Sequence, residues 1–178
     1  MHKILNDGNR QAVTLRGLGG IGKTQLAIAY AKAHRDDYSA IFWLNIKDEV
    51  SVEQSYSWMA TRIQREHPSA SQFSAITDDS QLHDVVSAVK RWLEHAKNIR
   101  WLMVFDNYDN PKVSGNATLN AVDIQQFLPK VYHGSIIVTT RSSKVNVGQH
   151  IQVSKLVDVR DSLQILFDAS RREDVMNS

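Results

Sequence analysis

Residues 17–24 read Gly17-Leu18-Gly19-Gly20-Ile21-Gly22-Lys23-Thr24 and match G-x-x-x-x-G-K-[ST], whose mechanism demands a strand before the loop and a helix after it. Average residue frequencies yield such a match by chance in about one chain in a hundred of this length. Both flanks comply. Gln11-Ala12-Val13-Thr14-Leu15-Arg16 is a β-favouring run ending at the glycines, and from Lys23 onward Leu26, Ala27, Tyr30, Ala31 and His34 recur at helical spacing. Glycines let successive backbone N–H groups turn inward around a phosphate, and the new helix adds the positive end of its dipole. Lys23 is expected to reach the β- and γ-phosphates, and the Thr24 hydroxyl to ligate Mg²⁺.

The remaining pattern repeats strand and helix. Ala40-Ile41-Phe42-Trp43-Leu44-Asn45, Trp101-Leu102-Met103-Val104-Phe105 and Ser135-Ile136-Ile137-Val138-Thr139-Thr140 are apolar runs of strand length, as expected where helices cover both faces of a sheet. Ile151-Gln152-Val153 is a candidate last strand. Residues 51–66 read as a helix opened by Ser51 three residues before Gln54, and Leu82, Val85, Val86, Val89, Trp92 and Leu93 form the stripe of another. Residues 122–128 suggest a short helix, and the polar stretch 69–80 a mobile loop. The expected class is α/β with the P-loop NTPase fold: a doubly wound parallel sheet of about five strands with helices on both faces. Residues 1–10 read as a lead-in, 11–170 as the folded unit and 171–178, with Arg171-Arg172, as a polar tail.

A loop of this kind calls for an acid at the end of a neighbouring apolar strand to hold the hydrated metal, and Asp106 ends the run from Trp101. The next position, where a hydrolase often carries a water-activating carboxylate, is Asn107, with Asp109 a candidate substitute base. Arg141 follows Thr139-Thr140 at a strand end, where a guanidinium would contact a γ-phosphate. The expected nucleotide contacts are Gly17, Gly19, Gly20, Ile21, Gly22, Lys23, Thr24, Gln25 and Arg141; Thr24 and Asp106 would hold metal, and Asp106 and Asp109 are the catalytic candidates.

Other classes find no support. A formal charge of +2 with interleaved signs offers no basic stripe for nucleic acid, and no window approaches the roughly 18 apolar residues of a membrane span. The chain holds no cysteine, which removes disulfides and thiolate sites and fits a cytoplasmic setting. Its seven histidines share no ligand spacing, and the tryptophans at 43, 58, 92 and 101 read as core residues. Asn116-Ala117-Thr118 matches a glycosylation acceptor without a secretory signal beside it.

Together the 17–24 loop followed by Gln25-Leu26-Ala27, the run from Ala40 to Asn45, the segment from Trp101 to Asn107, and Gly134-Ser135-Ile136-Ile137-Val138-Thr139-Thr140-Arg141 resemble the NB-ARC domain of STAND-class signalling ATPases, in the manner of fungal NOD-like receptors. The resemblance spans residues 11–170 and implies a switch that rests with ADP, exchanges it for ATP when a sensor domain engages its ligand, and oligomerises to activate an effector in non-self recognition and regulated cell death. It further implies helical and winged-helix subdomains contributing a Gly-Leu-Pro-Leu contact to adenine and a histidine contact to phosphate. Neither motif occurs in these 178 residues, so an excised nucleotide-binding subdomain is expected, with the apolar stripe Leu163, Leu166 and Phe167 packing on the sheet or facing its neighbour. The alternative class is a stand-alone P-loop ATPase or small-molecule phosphotransferase.

Overall fold

The computed structural model describes residues 1–5, 11–77, 80–112 and 120–154. Its strands are β1 (Gln11–Arg16), β2 (Ala40–Asn45), β3 (Trp101–Asp106), β4 (Ser135–Thr140) and β5 (Gln149–Gln152). Its helices are α1 (His2–Leu5), α2 (Lys23–Ala33), α3 (Glu49–Glu66) and α4 (Leu82–Leu93). The strands form one five-stranded sheet in the order β2-β3-β4-β1-β5, parallel throughout.

Alternation along the strands divides the core into two layers. Leu102 and Val104 face one side with Val13, Leu15 and Ile137, against Ala27, Tyr30 and Ala31 of α2 and Leu5 of α1. Met103 and Phe105 face the other with Phe42, Leu44, Ile136 and Val138, against α3 and α4. Every residue of β3 and β4 is buried, the signature of strands covered on both faces. The amino end of β3 is closed by Trp101, fully buried, whose ring lies where a Cβ on Gly134 would approach to 2.3 Å. Gly134 also has φ 78°, so glycine is required there for both backbone and space.

Several local expectations are revised. α3 starts at Glu49, and its cap is Asp48 rather than Ser51: the Asp48 carboxylate accepts the Ser51 N–H at 2.8 Å. Hydrogen bonding from Ser51 holds the Asp48 carboxyl below its ordinary pKa. The stretch expected to be mobile holds a 3₁₀ turn at Ser71–Phe73, because Phe73 is buried in the α3 and α4 layer with Ile76 packed beside it. Residues 122–128 supply a 3₁₀ turn, Ile124–Gln126, and β5 begins two residues earlier than expected as a largely exposed edge strand. Trp58 is 55% exposed on α3, stacked under Arg62 at 5.7 Å, and is not a core residue; Trp92 and Trp101 are buried. Residues 163, 166 and 167, the 116–118 triplet and Arg171-Arg172 lie outside the described residues. Among the described residues no helix is long and apolar enough to cross a membrane.

Candidate functional site

The strand order places β4 between the loop strand β1 and the acid strand β3, so the carboxyl end of β4 opens between the 17–24 loop and Asp106. In open parallel sheets ligands bind outside the carboxyl ends of the strands. A cleft of about 440 Å³ lies there, lined by residues 19–25 with Asn107, Asp109, Thr139 and Arg141.

Two glycines of the loop are demanded by the backbone, since Gly20 and Gly22 have φ 73° and 95°. Gly17 is demanded by contact instead: a Cβ would stand 2.5 Å from the Val153 carbonyl oxygen. It therefore packs the loop against Val153, the residue that follows β5, and does not line the cleft. Gly22 caps α2 without a side chain, which leaves the first-turn N–H groups of the helix to an outside acceptor.

Lys23 is buried, and its Nζ donates to the carbonyls of Gly17 at 2.9 Å and Leu18 at 2.8 Å. Its pKa is lowered, first by burial and then by Arg141, against opposing pulls from Asp109 and Asp106. The ammonium thus sits beneath the loop with neutral partners, short of the anionic ones its charge favours.

Thr24, in the cleft lining, meets the buried Asp106 at the end of β3. The Thr24 hydroxyl donates to Asp106 Oδ1 at 2.9 Å, and the Thr139 hydroxyl donates to the same oxygen. Asp106 is buried, yet Oδ2 accepts no hydrogen bond among the described residues. A carboxylate beside a threonine hydroxyl, with one oxygen unclaimed, is an oxygen donor set suited to a hydrated Mg²⁺.

Beyond β3 the chain turns sharply. Asn107 takes φ 65°, a left-handed conformation that Asn tolerates better than most residues. Its N–H donates to Thr139 Oγ1 at 3.1 Å and its amide to Asn45 Oδ1 at 3.3 Å. The buried Tyr108 donates its hydroxyl to the Val122 carbonyl at 2.9 Å. Asp109 then receives Arg141: Oδ1 accepts the Arg141 backbone N–H and Oδ2 accepts its Nε–H, both at 2.6 Å.

The structure brings together Lys23, Thr24, Asp106, Asp109 and Arg141, with Gly19, Gly20, Ile21, Gly22 and Gln25 on the cleft wall. Sequence reasoning missed Thr139, whose hydroxyl joins Asp106 to the Asn107 backbone. Its signal was a polar residue inside an apolar strand end. The fold also assembles His2, His34 and Asp37, which share no ligand spacing in sequence. The two imidazoles stack at 4.1 Å with planes 10° apart, so their in-plane lone pairs do not converge on one ion.

A family model described as the NB-ARC domain matches residues 1–169. A protein of Hyaloscypha variabilis described as a nucleotide-binding leucine-rich repeat (NLR)-like protein is 27% identical over 169 residues, covering 88% of this chain. The chain spans 16% of that curated relative's length. With the family match extending over nearly all of its residues, the chain belongs to the NB-ARC family and is a nucleotide-binding module of NLR type.

Proposed function

We propose that this domain binds ADP and ATP with Mg²⁺ and acts as the nucleotide switch of a larger cytoplasmic receptor that carries helical, winged-helix, sensor and effector domains. The observation that carries the reading is the convergence on one cleft of an uncapped helix N-terminus, the buried Lys23 and the Thr24–Asp106 pair. In this reading the N–H groups at the start of α2 cradle the phosphates, and Lys23 leaves its carbonyl partners for phosphate oxygens. Thr24 and Asp106 hold the cation, with Thr139 keeping the Asp106 carboxylate turned toward it. Bound there, Mg²⁺ would neutralise phosphate charge and tie it to the protein oxygens. Asp106→Asn should weaken nucleotide binding about tenfold or more with Mg²⁺ present and have little effect in EDTA. Fluorescent-nucleotide titrations in the two buffers check this; equal losses in both would remove the metal role.

Arg141 reaches the mouth of the same cleft, and we assign it to the γ-phosphate. Arg141→Ala should lower ATP affinity more than ADP affinity, because the contact has no counterpart in ADP. Paired calorimetric titrations read the difference, and equal losses would return Arg141 to a surface role. The position after the metal acid is Asn107, with its amide directed to Asn45, so no carboxylate stands there to activate water. Slow turnover follows from that, in keeping with a switch that selects conformations rather than a phosphotransferase. Phosphate release should stay below about 1 per second, and sustained faster turnover would favour the enzyme instead. Assembly into oligomers in the ATP state, with an output in non-self recognition and cell death, completes the proposal and rests on the family alone.

A further inference from the structure

We propose that Asp109 is the positioning residue that aims Arg141 across the cleft, and that it sets the preference between ATP and ADP by doing so. The inference rests on the reading of Arg141 given above and extends it to a residue whose chemistry, by sequence alone, suggested a base.

Three observations support it. First, Asp109 grips Arg141 at two points, the backbone N–H and Nε–H, one on each carboxylate oxygen and each at 2.6 Å. Fixing both the backbone and the neck of the side chain removes most of its rotamer freedom. Neither terminal amino group of Arg141 donates to a protein acceptor among the described residues, and Nη1 lies 3.7 Å from where a Cβ on Gly19 would be. The donors left over therefore face the phosphate loop.

Second, Asp109 is itself held. Tyr108 N–H donates to the Thr139 carbonyl at 3.0 Å, Asp109 N–H donates to the Asn107 carbonyl at 2.8 Å, and the Thr140 hydroxyl donates to the Tyr108 carbonyl. The buried Tyr108 ring, bonded to Val122, anchors this turn in the core. Third, the Arg141 side chain is 62% exposed, where an ion pair contributes little to stability, so the pair is better explained by orientation than by folding. With both oxygens engaged, Asp109 is poorly disposed to take a proton from water. Its charge also offsets the repulsion between Arg141 and Lys23.

The test compares Mg²⁺-ADP with a Mg²⁺-bound non-hydrolysable ATP analogue by calorimetry on the wild-type chain, Arg141→Ala, Asp109→Ala, Asp109→Asn and the double alanine variant. Asp109→Ala should reduce the ATP-to-ADP affinity ratio about as much as Arg141→Ala does, on the order of tenfold, and the double variant should reduce it no further. Asp109→Asn, which keeps one acceptor without the charge and is the milder change should the alanine variant misfold, should fall between. A merely structural role would lower both affinities together and leave the ratio alone. If Arg141→Ala shifts the ratio while both Asp109 variants leave it at the wild-type value, or if the two losses add, the positioning role is overturned and the reading of Arg141 survives. If Arg141→Ala itself leaves the ratio unchanged, the γ-phosphate reading fails and this inference fails with it. Asp109→Asn that abolishes hydrolysis at an unchanged ratio would make Asp109 the base and overturn the proposal.

Discussion

Replacing Lys23 with alanine is expected to weaken Mg²⁺-nucleotide binding roughly 30- to 1,000-fold, equivalent to about 2 to 4 kcal/mol. The size follows from where the ammonium sits. It is buried, and burial is the first cause of its lowered pKa, so the fold carries a desolvation cost that two neutral carbonyls only partly offset. Asp109 and Asp106 pull on the ammonium from a distance, and phosphate oxygens would bring opposite charge into direct contact with it, as a charge-assisted bond. The sign for stability is different. A lysine whose folded pKa is depressed below 10.5 is destabilising while it remains charged, and that cost eases only as pH rises past the folded pKa. At neutral pH the variant loses two hydrogen bonds and also sheds a buried charge, so its melting temperature should stay within a few degrees of wild type while binding collapses. Calorimetric titration alongside a thermal melt separates the two. Full binding by a folded Lys23→Ala protein would refute the role assigned to the loop.

Trp101→Ala should produce the largest loss of stability, about 3 to 5 kcal/mol, or roughly 6 to 20 °C in melting temperature for a domain of this size. Trp101 is the largest of the fully buried side chains. Its Nε1–H donates to the Leu93 carbonyl at 3.1 Å, which ties the amino end of β3 to the last turn of α4. Gly134 lies flat against the ring, so the vacated space borders a residue with no side chain to fill it. A cavity remains, and the Leu93 carbonyl keeps only His133 Nε2, at 3.0 Å, of its two ring partners. The cleft is at the opposite end of β3, beyond Asp106, so nucleotide binding measured well below the new melting temperature should persist. A drop of less than about 3 °C in a far-ultraviolet circular dichroism melt would contradict the packing described for Trp101 and Gly134.

What the sequence made legible follows from what burial writes into it. β1, β2 and β4 match their expected residues, because runs such as Ile136-Ile137-Val138 belong to strands covered on both faces. α4 is equally plain: Val85, Val86, Val89, Trp92 and Leu93 lie on one face at helical spacing. Strand order has no such trace. Nothing in the spacing of apolar residues says that β4 lies between β1 and β3, yet that insertion brings Thr139 and Arg141 to the cleft. The pairing of Asp109 with Arg141 joins residues 32 positions apart and depends on the same insertion. Asn107 is a third instance. Read along the chain it is a missing carboxylate, whereas its φ of 65° and its bond to Asn45 give the residue a backbone reason to be Asn. The cap of α3 is ambiguous in sequence for a simpler reason: Asp48 and Ser51 are both good capping residues, and only geometry shows that the first accepts from the second.

The most direct test of nucleotide binding at this cleft is an NMR titration of the ¹⁵N-labelled chain with Mg²⁺-ADP, with amide shifts followed residue by residue. Saturable shifts are expected at residues 19–25, at Asn107 and at Arg141, and Lys23→Ala should move their midpoint to about 30-fold higher nucleotide or beyond. No response at millimolar nucleotide, or saturable shifts confined to residues away from the 17–24 loop, would contradict the assignment.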